Sequence, residues 1–262
     1  MKPKKSIFLR ELTYYLDHLL RLSDWKDDPS NNGLQWEGNE MVSKAAFAVD
    51  ASQETFQMAV EQGAEILFVH HGISWGGGTK RFTGLMGKRL EYLANHRLSL
   101  YAVHLPLDAN PEFGHNVCLC RMIGLENLVP FGTYHGKKIG FFGILPTPKT
   151  VKTISAELHA ALKCTHDPRF MGNVLKKCRK IGVISGGGAW PELFEECLDD
   201  GIQCLITGEA THESFHPAKE AGTAVVSLGH YHTETVGVRS VMELVEDKFG
   251  IDTIWIDYPT KY

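Results

Sequence analysis

The sequence predicts an α/β fold of two lobes, and three observations support that prediction. Short apolar runs alternate with amphipathic stretches along the chain, a pattern typical of βα units in a mainly parallel sheet. The 262 residues, 43% of them hydrophobic, suffice for one large domain or two modest ones. Pro130, Gly132 and Gly136 interrupt the pattern near residues 125–136. We therefore expect α/β lobes over 1–128 and 129–262, packed closely enough that they could form one continuous domain.

The first lobe is predicted to begin with a helix over 7–22, because leucines recur there at helical spacing. The helix should end before residues 27–33, a run of turn-forming Asp, Asn, Pro and Gly. The first lobe then continues with strand 45–50, helix 53–62, strand 65–70, helix 85–97, strand 99–104 and helix 115–123. The second lobe is predicted as strand 138–144, helix 151–162, strand 179–185, helix 192–199, strand 204–207, helix 212–221, strand 224–228, helix 236–248 and strand 253–256.

Composition limits the classes of function. The formal net charge of −4 disfavours a nucleic-acid-binding surface, which needs clustered Lys and Arg. Residues 1–30 lack the apolar middle of a secretory signal, and no apolar run reaches the roughly 18 residues that span a bilayer. Six cysteines occur without a Cys-x-x-Cys pair, which favours reduced thiols. We expect a cytoplasmic protein that does not enter a membrane.

Histidines and carboxylates follow three of the predicted strands. In open α/β sheets, the carboxyl ends of the strands meet at a crevice where ligands bind. Pro106 should end its strand and turn the chain. The i, i+4 spacing of His230 and Glu234 should place both side chains on one face of a helix. The residues at these strand ends are His70, His71, His104, Asp108, His230 and Glu234. Although any one of these histidines could be an ordinary core or surface group, three such clusters together predict a metal site.

The mixture of imidazoles and carboxylates suits Zn, Fe, Mn, Co or Ni, and fits an all-oxygen calcium cage poorly. Five or six ligands exceed the three that one catalytic zinc usually takes. Two divalent cations about 3.5–4 Å apart account better for the surplus. The sequence therefore predicts a dinuclear metal site, without specifying the metal.

Other residues have two interpretations each. Glu209 and His212 follow a predicted strand and could act as general acid or base, although Glu209 could equally cap the next helix. Gly187, within three consecutive glycines, could contact a phosphate or simply form a tight turn. Trp75, beside a Gly-rich loop, could stack on a substrate base or anchor an oligomer contact.

Six motifs, taken in order, resemble the NIF-three-like dinuclear metal centre family, also called type 2 GTP cyclohydrolase I. They are Asp-x-Ser-Asn-Asn-Gly-Leu-Gln from Asp28, Val-Asp-Ala-Ser from Val49, His-His-Gly from His70, His-Leu-Pro-Leu-Asp from His104, Ile-Thr-Gly-Glu from Ile206 and Gly-His-x-x-x-Glu from Gly229. The resemblance implies two lobes with the metals in their cleft, and a homohexamer built as a trimer of dimers. It makes His104 an additional or supporting ligand beside five metal ligands, which are His70, His71, Asp108, His230 and Glu234.

Two positions depart from the family pattern. Gly72 stands where the family has Pro, and Leu105-Pro106 stands where it has Thr-Asn. The ligand types are kept, so the departures affect the loops beside the metals and any substrate assignment.

Two functional hypotheses follow. The first is a dinuclear-metal-dependent hydrolase that presents metal-bound hydroxide to a small-molecule substrate such as a nucleotide, in a GTP-cyclohydrolase-like reaction. The second is a non-catalytic metal-binding factor that regulates or interacts with other proteins. A hydrolase should lose turnover when its proton-relay residues change, whereas a binding factor should tolerate their loss.

Overall fold

The computed structural model describes residues 5–260, which divide into two compact units. Unit 1 contains the described residues up to Leu107 together with Val238–Tyr258, and unit 2 contains Asp108–Gly237 with the last two described residues. The strands are β1 (Ile7–Phe8), β2 (Gly33–Trp36), β3 (Met41–Val42), β4 (Lys44–Asp50), β5 (Ile66–His71), β6 (Ser99–Ala102), β7 (Glu126–Tyr134), β8 (Lys137–Thr150), β9 (Arg169–Met171), β10 (Lys177–Ile184), β11 (Cys204–Thr207), β12 (Ala224–Ser227) and β13 (Asp252–Trp255).

The helices are α1 (Leu9–Leu19), α2 (Gln53–Glu61), α3 (Gly84–His96), α4 (Leu105–Asp108), α5 (His115–Met122), α6 (Val151–Leu162), α7 (Leu193–Asp199), α8 (Phe215–Glu220), α9 (His230–Thr233) and α10 (Thr235–Phe249). Short 3-10 turns cover Leu22–Asp24 and His212–Ser214. The predicted α/β class is confirmed.

Unit 1 is organised around a five-stranded sheet in the order β13-β4-β5-β6-β2. The first four strands of that order run parallel, and β2 is antiparallel to β6. Strand β5 lies at the centre, and its apolar run is buried because central parallel strands are covered on both faces. Helix α2 is capped by Ser52, which forms a capping box with Thr55. The carboxyl end of β5 therefore lies between its two parallel neighbours, β4 and β6.

Unit 2 contains a six-stranded sheet in the order β7-β8-β10-β11-β12-β9. Strands β10, β11 and β12 are parallel, while β7, β8 and β9 run antiparallel to their neighbours. Its core joins the buried faces of α5 and α6 to the sheet, as in Leu119, Leu158 and Val183. The mixed sheet places the carboxyl ends of its three parallel strands along one edge.

The predicted interruption near residues 125–136 is instead strand β7, which pairs with β8 as a hairpin. Pro130 is compatible with this strand because β7 is a sheet edge, where a missing N–H need not break the ladder. His135 and Gly136 have φ of 47° and 75°, as a two-residue type I′ hairpin turn requires. The boundary expected between residues 128 and 129 thus falls inside unit 2, whereas the structure divides the chain after Leu107 and again after Gly237.

Two further expectations concern the whole chain. No helix among residues 5–260 combines the length and apolar character needed to cross a bilayer. All six cysteines lie within the described range and are thiols, in agreement with the absence of a disulfide framework. Burial raises the pKa of Cys164 to about 11, which disfavours its thiolate at neutral pH.

Candidate functional site

Three histidines of unit 1 form what we call the histidine cluster: His70, His71 and His104. His70 and His71 end strand β5, and His104 follows the neighbouring strand β6. One ring nitrogen from each lies within 4.8 Å of those of the other two. His70 is fully buried, while the other two rings are partly exposed. Parallel pairing of β5 and β6 is what brings these distant sequence positions to one edge.

Each ring of the histidine cluster is held through its Nδ1 atom. The His70 Nδ1–H donates to the Val103 carbonyl at 2.8 Å. The His71 Nδ1 lies 2.8 Å from Asp50 Oδ1, and the His104 Nδ1 lies 2.9 Å from Asp28 Oδ1. In the neutral tautomers that these acceptors favour, the lone pair of each ring is on Nε2, the form in which imidazole binds metals. Sequence reasoning did not assign this role to Asp28 or Asp50.

Asp28 connects the first motif to His104. Its side chain has no exposed surface and accepts four hydrogen bonds, from the backbone N–H groups of Ser30 and Leu105 and from the side chains of Asn32 and His104. Burial alone would raise the pKa of Asp28, but the hydrogen bonds from His104, Asn32 and Ser30 outweigh burial, so that the pKa is lowered. Asn32 also accepts from the His104 N–H at 2.7 Å. The first motif is therefore a scaffold for a ring of the cluster.

The Gly72 departure has a packing reason. A Cβ at Gly72 would lie 2.3 Å from Gln35 Oε1 and 2.5 Å from the Ala102 Cβ, so that the position has no room for a side chain. Gln35 Oε1 accepts the N–H groups of Ile73 and Ser74, which fixes the chain after the histidines. The other departure, at Leu105-Pro106, forms the first turn of α4, where proline is tolerated.

Trp75 lies against the histidine cluster, with its ring centroid 5.1 Å from that of His104 and 6.2 Å from that of His71. Its indole N–H donates to the Gly72 carbonyl at 2.9 Å, and the ring is 39% exposed. The expected substrate contact stays a prediction. The structure does place the indole where it could cover a ligand of the cluster.

In unit 2, the carboxylate of Asp108 is positioned by strand β10 and helix α5. Ser185 Oγ donates to Asp108 Oδ1 at 2.9 Å, and the Asn116 side chain donates to the Asp108 carbonyl at 3.2 Å. Asn116 also accepts the Ser185 N–H at 2.6 Å. This closed set of hydrogen bonds fixes a buried carboxylate at the end of the short helix α4, whereas the sequence placed Asp108 directly after a strand.

His115 is a buried residue that sequence reasoning missed. Its Nδ1 accepts the Gly237 N–H at 3.1 Å, so that the proton of the neutral ring is on Nε2. A ring nitrogen of His115 lies within 4.8 Å of a carboxylate oxygen of Asp108. His115 is therefore a further candidate residue beside the Asp108 carboxylate. Only three-dimensional proximity shows this, since His115 opens a helix instead of ending a strand.

His230 lies between two carboxylates of unit 2. Its Nδ1 is 2.8 Å from Glu209 Oε1, and its Nε2 is 3.1 Å from Glu234 Oε1, which confirms that the i, i+4 spacing brings the last pair together. Burial lowers the pKa of His230, but the charges and hydrogen bonds of Glu234 and Glu209 raise it by more, to about 10. We name Asp108, His230 and Glu234 the acidic ligand set. A divalent cation would take the place of the proton shared by His230 and Glu234.

The triple glycine forms a turn that packs against the acidic ligand set. A Cβ at Gly186, whose φ is +58°, would lie 2.1 Å from Glu234 Oε1. The N–H groups of Gly186 and Gly188 donate to the hydroxyls of Thr233 and Thr207. Two of the three amides that a phosphate cradle would use thus bind protein hydroxyls, which favours the tight-turn interpretation. Gly187 is exposed, and its expected ligand contact stays a prediction.

Both predicted proton-relay residues line one cavity of unit 2. Glu209 is partly exposed, and His212 opens the 3-10 turn at its rim. The bond to His230 shows that Glu209 orients an imidazole, which is a separate task from helix capping. The general acid and base roles of the two residues stay predictions.

The residues present fit a metal cation. Imidazoles whose Nδ1 atoms are held by carboxylate or carbonyl oxygens are the usual ligand arrangement for divalent transition metals. In unit 1 three imidazoles converge, and unit 2 separately brings carboxylates together with one imidazole. Imidazole and carboxylate ligands suit zinc and several other divalent metals of the first transition row.

Comparison with known proteins identifies the family. Residues 7–261 match the family model described as Duf34/NIF3 (NGG1p interacting factor 3). The chain is 43% identical over 252 residues to the "GTP cyclohydrolase 1 type 2 homolog" of Archaeoglobus fulgidus, covering 96% of this chain and 98% of that protein. It is 44% identical over 250 residues to the protein of the same name from Pyrococcus horikoshii, covering 95% and 98%.

A solved structure agrees with these relatives. The crystal structure of TTHA1606 from Thermus thermophilus superposes with a TM-score of 0.85 at 33% sequence identity, covering 98% of this chain and all of that one. The expected resemblance is thereby confirmed in both sequence and fold, and the chain belongs to the DUF34/NIF3 family.

Proposed function

We propose that the protein is a metal-dependent hydrolase that holds two divalent cations per chain. The observation that carries the proposal is the histidine cluster, where three ring nitrogens lie within 4.8 Å of one another. Converging imidazoles are a ligand arrangement that divalent transition metals use, and metal binding contributes favourable free energy to holding the rings together. The acidic ligand set of unit 2 offers a second group of donors, two carboxylates and one imidazole.

Bound there, a divalent cation would supply Lewis acidity, lowering the pKa of a water molecule and polarising an electrophilic carbon or phosphorus centre. The chain's own residues would orient the ligands: Asp28 and Asp50 hold two rings of the histidine cluster, and Glu209 holds His230. Exposed Trp75 would limit the access of water to the cluster from one side.

Proton transfer falls to Glu209 and His212 in this proposal. Both line the cavity of unit 2, and a general acid or base must reach the reacting group directly or through one water. The names of the relatives support a GTP-cyclohydrolase-like reaction as the first to test. Opening a purine ring and releasing formate requires water as the nucleophile, which agrees with a hydrolase.

Metal content tests the proposal first. Elemental analysis of protein purified without an affinity tag should find about two metal atoms per chain. The double variants His71→Asn/His104→Asn and Asp108→Asn/His230→Asn should each lose metal while keeping the native circular dichroism spectrum. His96→Asn is the matched control, because His96 is exposed at the end of α3 and should not affect metal content. Equal metal content in all four proteins would overturn the metal sites.

Turnover is tested next, on metal-loaded protein with GTP, cyclic nucleotides and activated esters. His212→Asn should lower kcat by roughly 10² or more while metal is retained. Glu209→Gln should lower kcat similarly when it is assayed at saturating metal, because Glu209 also orients His230. Absence of turnover on every substrate, in protein that holds its metal, would contradict the hydrolase. The non-catalytic metal-binding factor would then be the better interpretation.

The proposal also includes assembly and location. The family resemblance implies a cytoplasmic homohexamer, a trimer of dimers, acting on a small molecule. Light scattering should then give about six times the 29.2 kDa mass of the chain. A mass equal to one chain would overturn the hexamer and leave the metal sites unaffected.

A further inference from the structure

A cavity of about 570 Å³ lies in unit 2 beside the acidic ligand set. It occupies the carboxyl ends of β11 and β12 and the start of the edge strand β9. Its volume is typical of small-molecule sites, which range over about 300–1,000 Å³. Glu209 belongs both to this cavity and to the hydrogen bond that holds His230. A molecule bound in the cavity would therefore lie next to a predicted metal ligand.

Arg169 places a positive charge on the cavity wall. It is the first residue of β9, is exposed, and forms no ion pair with a carboxylate anywhere in residues 5–260. A guanidinium presents a planar fork of donors that matches the oxygens of a phosphate or carboxylate. Its position at the end of an edge strand leaves this fork available to a ligand.

His166 supplies a second donor to the same cavity. Its Nδ1 lies 3.3 Å from the Asp167 carbonyl oxygen, and its ring stands edge-to-face against His232 with centroids 5.1 Å apart. His159 Nε2 donates to the His166 carbonyl at 2.9 Å, which fixes the backbone at this position. The His166 Nε2 atom is buried and has no hydrogen-bond partner within the described chain. A buried ring nitrogen without a partner costs free energy that a ligand would recover.

Gly229 makes room for this ring. A Cβ at Gly229 would lie 2.3 Å from His166 Nε2, and the φ of +94° is one that side-chain-bearing residues rarely adopt. The glycine thus allows the imidazole to approach the loop that leads to His230. A glycine with this backbone conformation therefore lies directly beside a polar atom that has no hydrogen-bond partner among residues 5–260.

We propose that this cavity binds a phosphoryl group, with Arg169 and the Nε2–H of His166 as its donors and His212 at its rim. The proposal rests on the proposed function, because it names a substrate feature that would sit beside the acidic ligand set. An anion of this size accepts hydrogen bonds from the guanidinium and from an imidazole N–H at once.

The carboxylates of the cavity restrict where the anion binds. Glu209 is engaged by His230, so that its charge is partly compensated. Asp167 is exposed and would repel an anion from its side of the cavity. The phosphoryl group is thereby confined to the Arg169 and His166 side. Asp167 can accept a hydrogen bond from a hydroxyl or amino group on the rest of the ligand.

The test is isothermal titration of the full chain with inorganic phosphate and with glucose 6-phosphate, both before and after treatment with a chelator. Chelated protein separates binding in the cavity from coordination of phosphate to a metal. Glucose is the control without a phosphoryl group. Binding of both phosphate compounds, but not of glucose, is expected. Tighter binding of glucose 6-phosphate would identify an ester as the ligand, and tighter binding of inorganic phosphate would identify the free anion.

Three variants locate the binding. Arg169→Gln and His166→Phe should each weaken phosphate binding by about 10-fold or more, as expected for loss of a charge-assisted hydrogen bond. The phenyl ring of His166→Phe preserves the packing against His232. Lys152→Gln makes the same charge change on the exposed face of α6 and should leave the affinity unchanged. No binding in the chelated protein, or equal affinity in all three variants and the wild type, would overturn the proposal.

Failure of this inference is distinguishable from failure of the proposed function. Arg169→Gln should retain the metal content of the wild type, because Arg169 belongs to neither ligand group. A protein that binds phosphate through Arg169 but hydrolyses none of the substrates would keep the cavity assignment and lose the hydrolase. If the protein hydrolyses a substrate but the Arg169 and His166 variants bind phosphate compounds as tightly as the wild type, the hydrolase would stand and the cavity assignment would be wrong.

Discussion

Replacing Asp28 by Asn should destabilise unit 1 and weaken metal binding together. Oδ1 of Asp28 accepts from Ser30 and His104, and Oδ2 accepts from Asn32 and Leu105, at 2.8–2.9 Å. An amide keeps only one oxygen, so that two of the four donors would face an NH₂ group in a site without solvent. Each buried donor left unsatisfied costs about 1–3 kcal/mol, which gives about 2–6 kcal/mol for the variant.

The free energy of unfolding is measured with urea on chelated protein, following tryptophan fluorescence. Asp27→Asn is the matched control, because Asp27 is the exposed neighbour in the same sequence and should change stability by less than about 0.5 kcal/mol. The pKa of Asp28 is lowered in the folded state, so its contribution is complete above the pKa of an unfolded aspartate, about 3.9. The difference between wild type and Asp28→Asn should stay constant from about pH 7 to pH 5 and shrink as the pH falls through the folded pKa.

Metal affinity is the second measurement on the same pair of variants. Loss of the carboxylate that orients His104 should weaken binding by about 10-fold to 100-fold in competition with a chromophoric chelator. If Asp28→Asn matches Asp27→Asn in both stability and metal affinity, the assignment of Asp28 as the support of His104 is wrong.

Three further predictions concern the two units separately. Glu196→Gln should cost about 1–2 kcal/mol in urea unfolding relative to its exposed neighbour Glu195→Gln, because Glu196 accepts from Lys138 and from two backbone N–H groups of β7. Despite burial, these donors lower the pKa of Glu196, so the difference should disappear as the pH falls below about 4; a difference that persists there would contradict the reasoning. The raised pKa of His230, about 10, keeps the metal-free ring protonated at pH 7.5, and metal loading should release about one proton per chain. Titrations in buffers of different ionisation enthalpy measure this release, and its absence would show that His230 is not a ligand. Trp75→Phe should abolish most of the fluorescence quenching caused by Co²⁺ or Ni²⁺, since the indole lies against the histidine cluster; undiminished quenching would place the metal elsewhere.

Sequence periodicity was sufficient to predict most of the longer helices and the central strands of both sheets. Strand β5 is recognisable because its apolar residues are continuous and end in two histidines, and β6 because it repeats that arrangement. Their carboxyl ends meet through a general property of parallel sheets, so His70 and His104 could be brought together without a structure. Edge strand β7 was missed because its exposed residues alternate weakly and its Pro and Gly resemble a linker.

The supports of the ligands were less accessible to sequence reasoning. Asp50 and Asp28 belong to motifs that were recognised, yet their roles depend on pairings across strands and loops that no local spacing encodes. His115 lies at the start of a helix, and Arg169 lies at the start of a short edge strand. A search for polar residues at the carboxyl ends of strands does not include these positions. The strongest available signal was the repeated ending of strands in His or Asp, which applies to Asp50 as well.

Strand β13 closes the sheet of unit 1 by pairing in parallel with β4, although nearly the whole of unit 2 separates them in sequence. During synthesis on the ribosome, unit 2 emerges as one continuous segment and can fold while β4 still lacks its outer neighbour. The β4 edge, with a run of buried residues at its centre, is then a template for pairing with another nascent chain. The sheet of unit 1 is complete only after residue 255 has been synthesised, so the β4 edge stays unpaired until β13 is available.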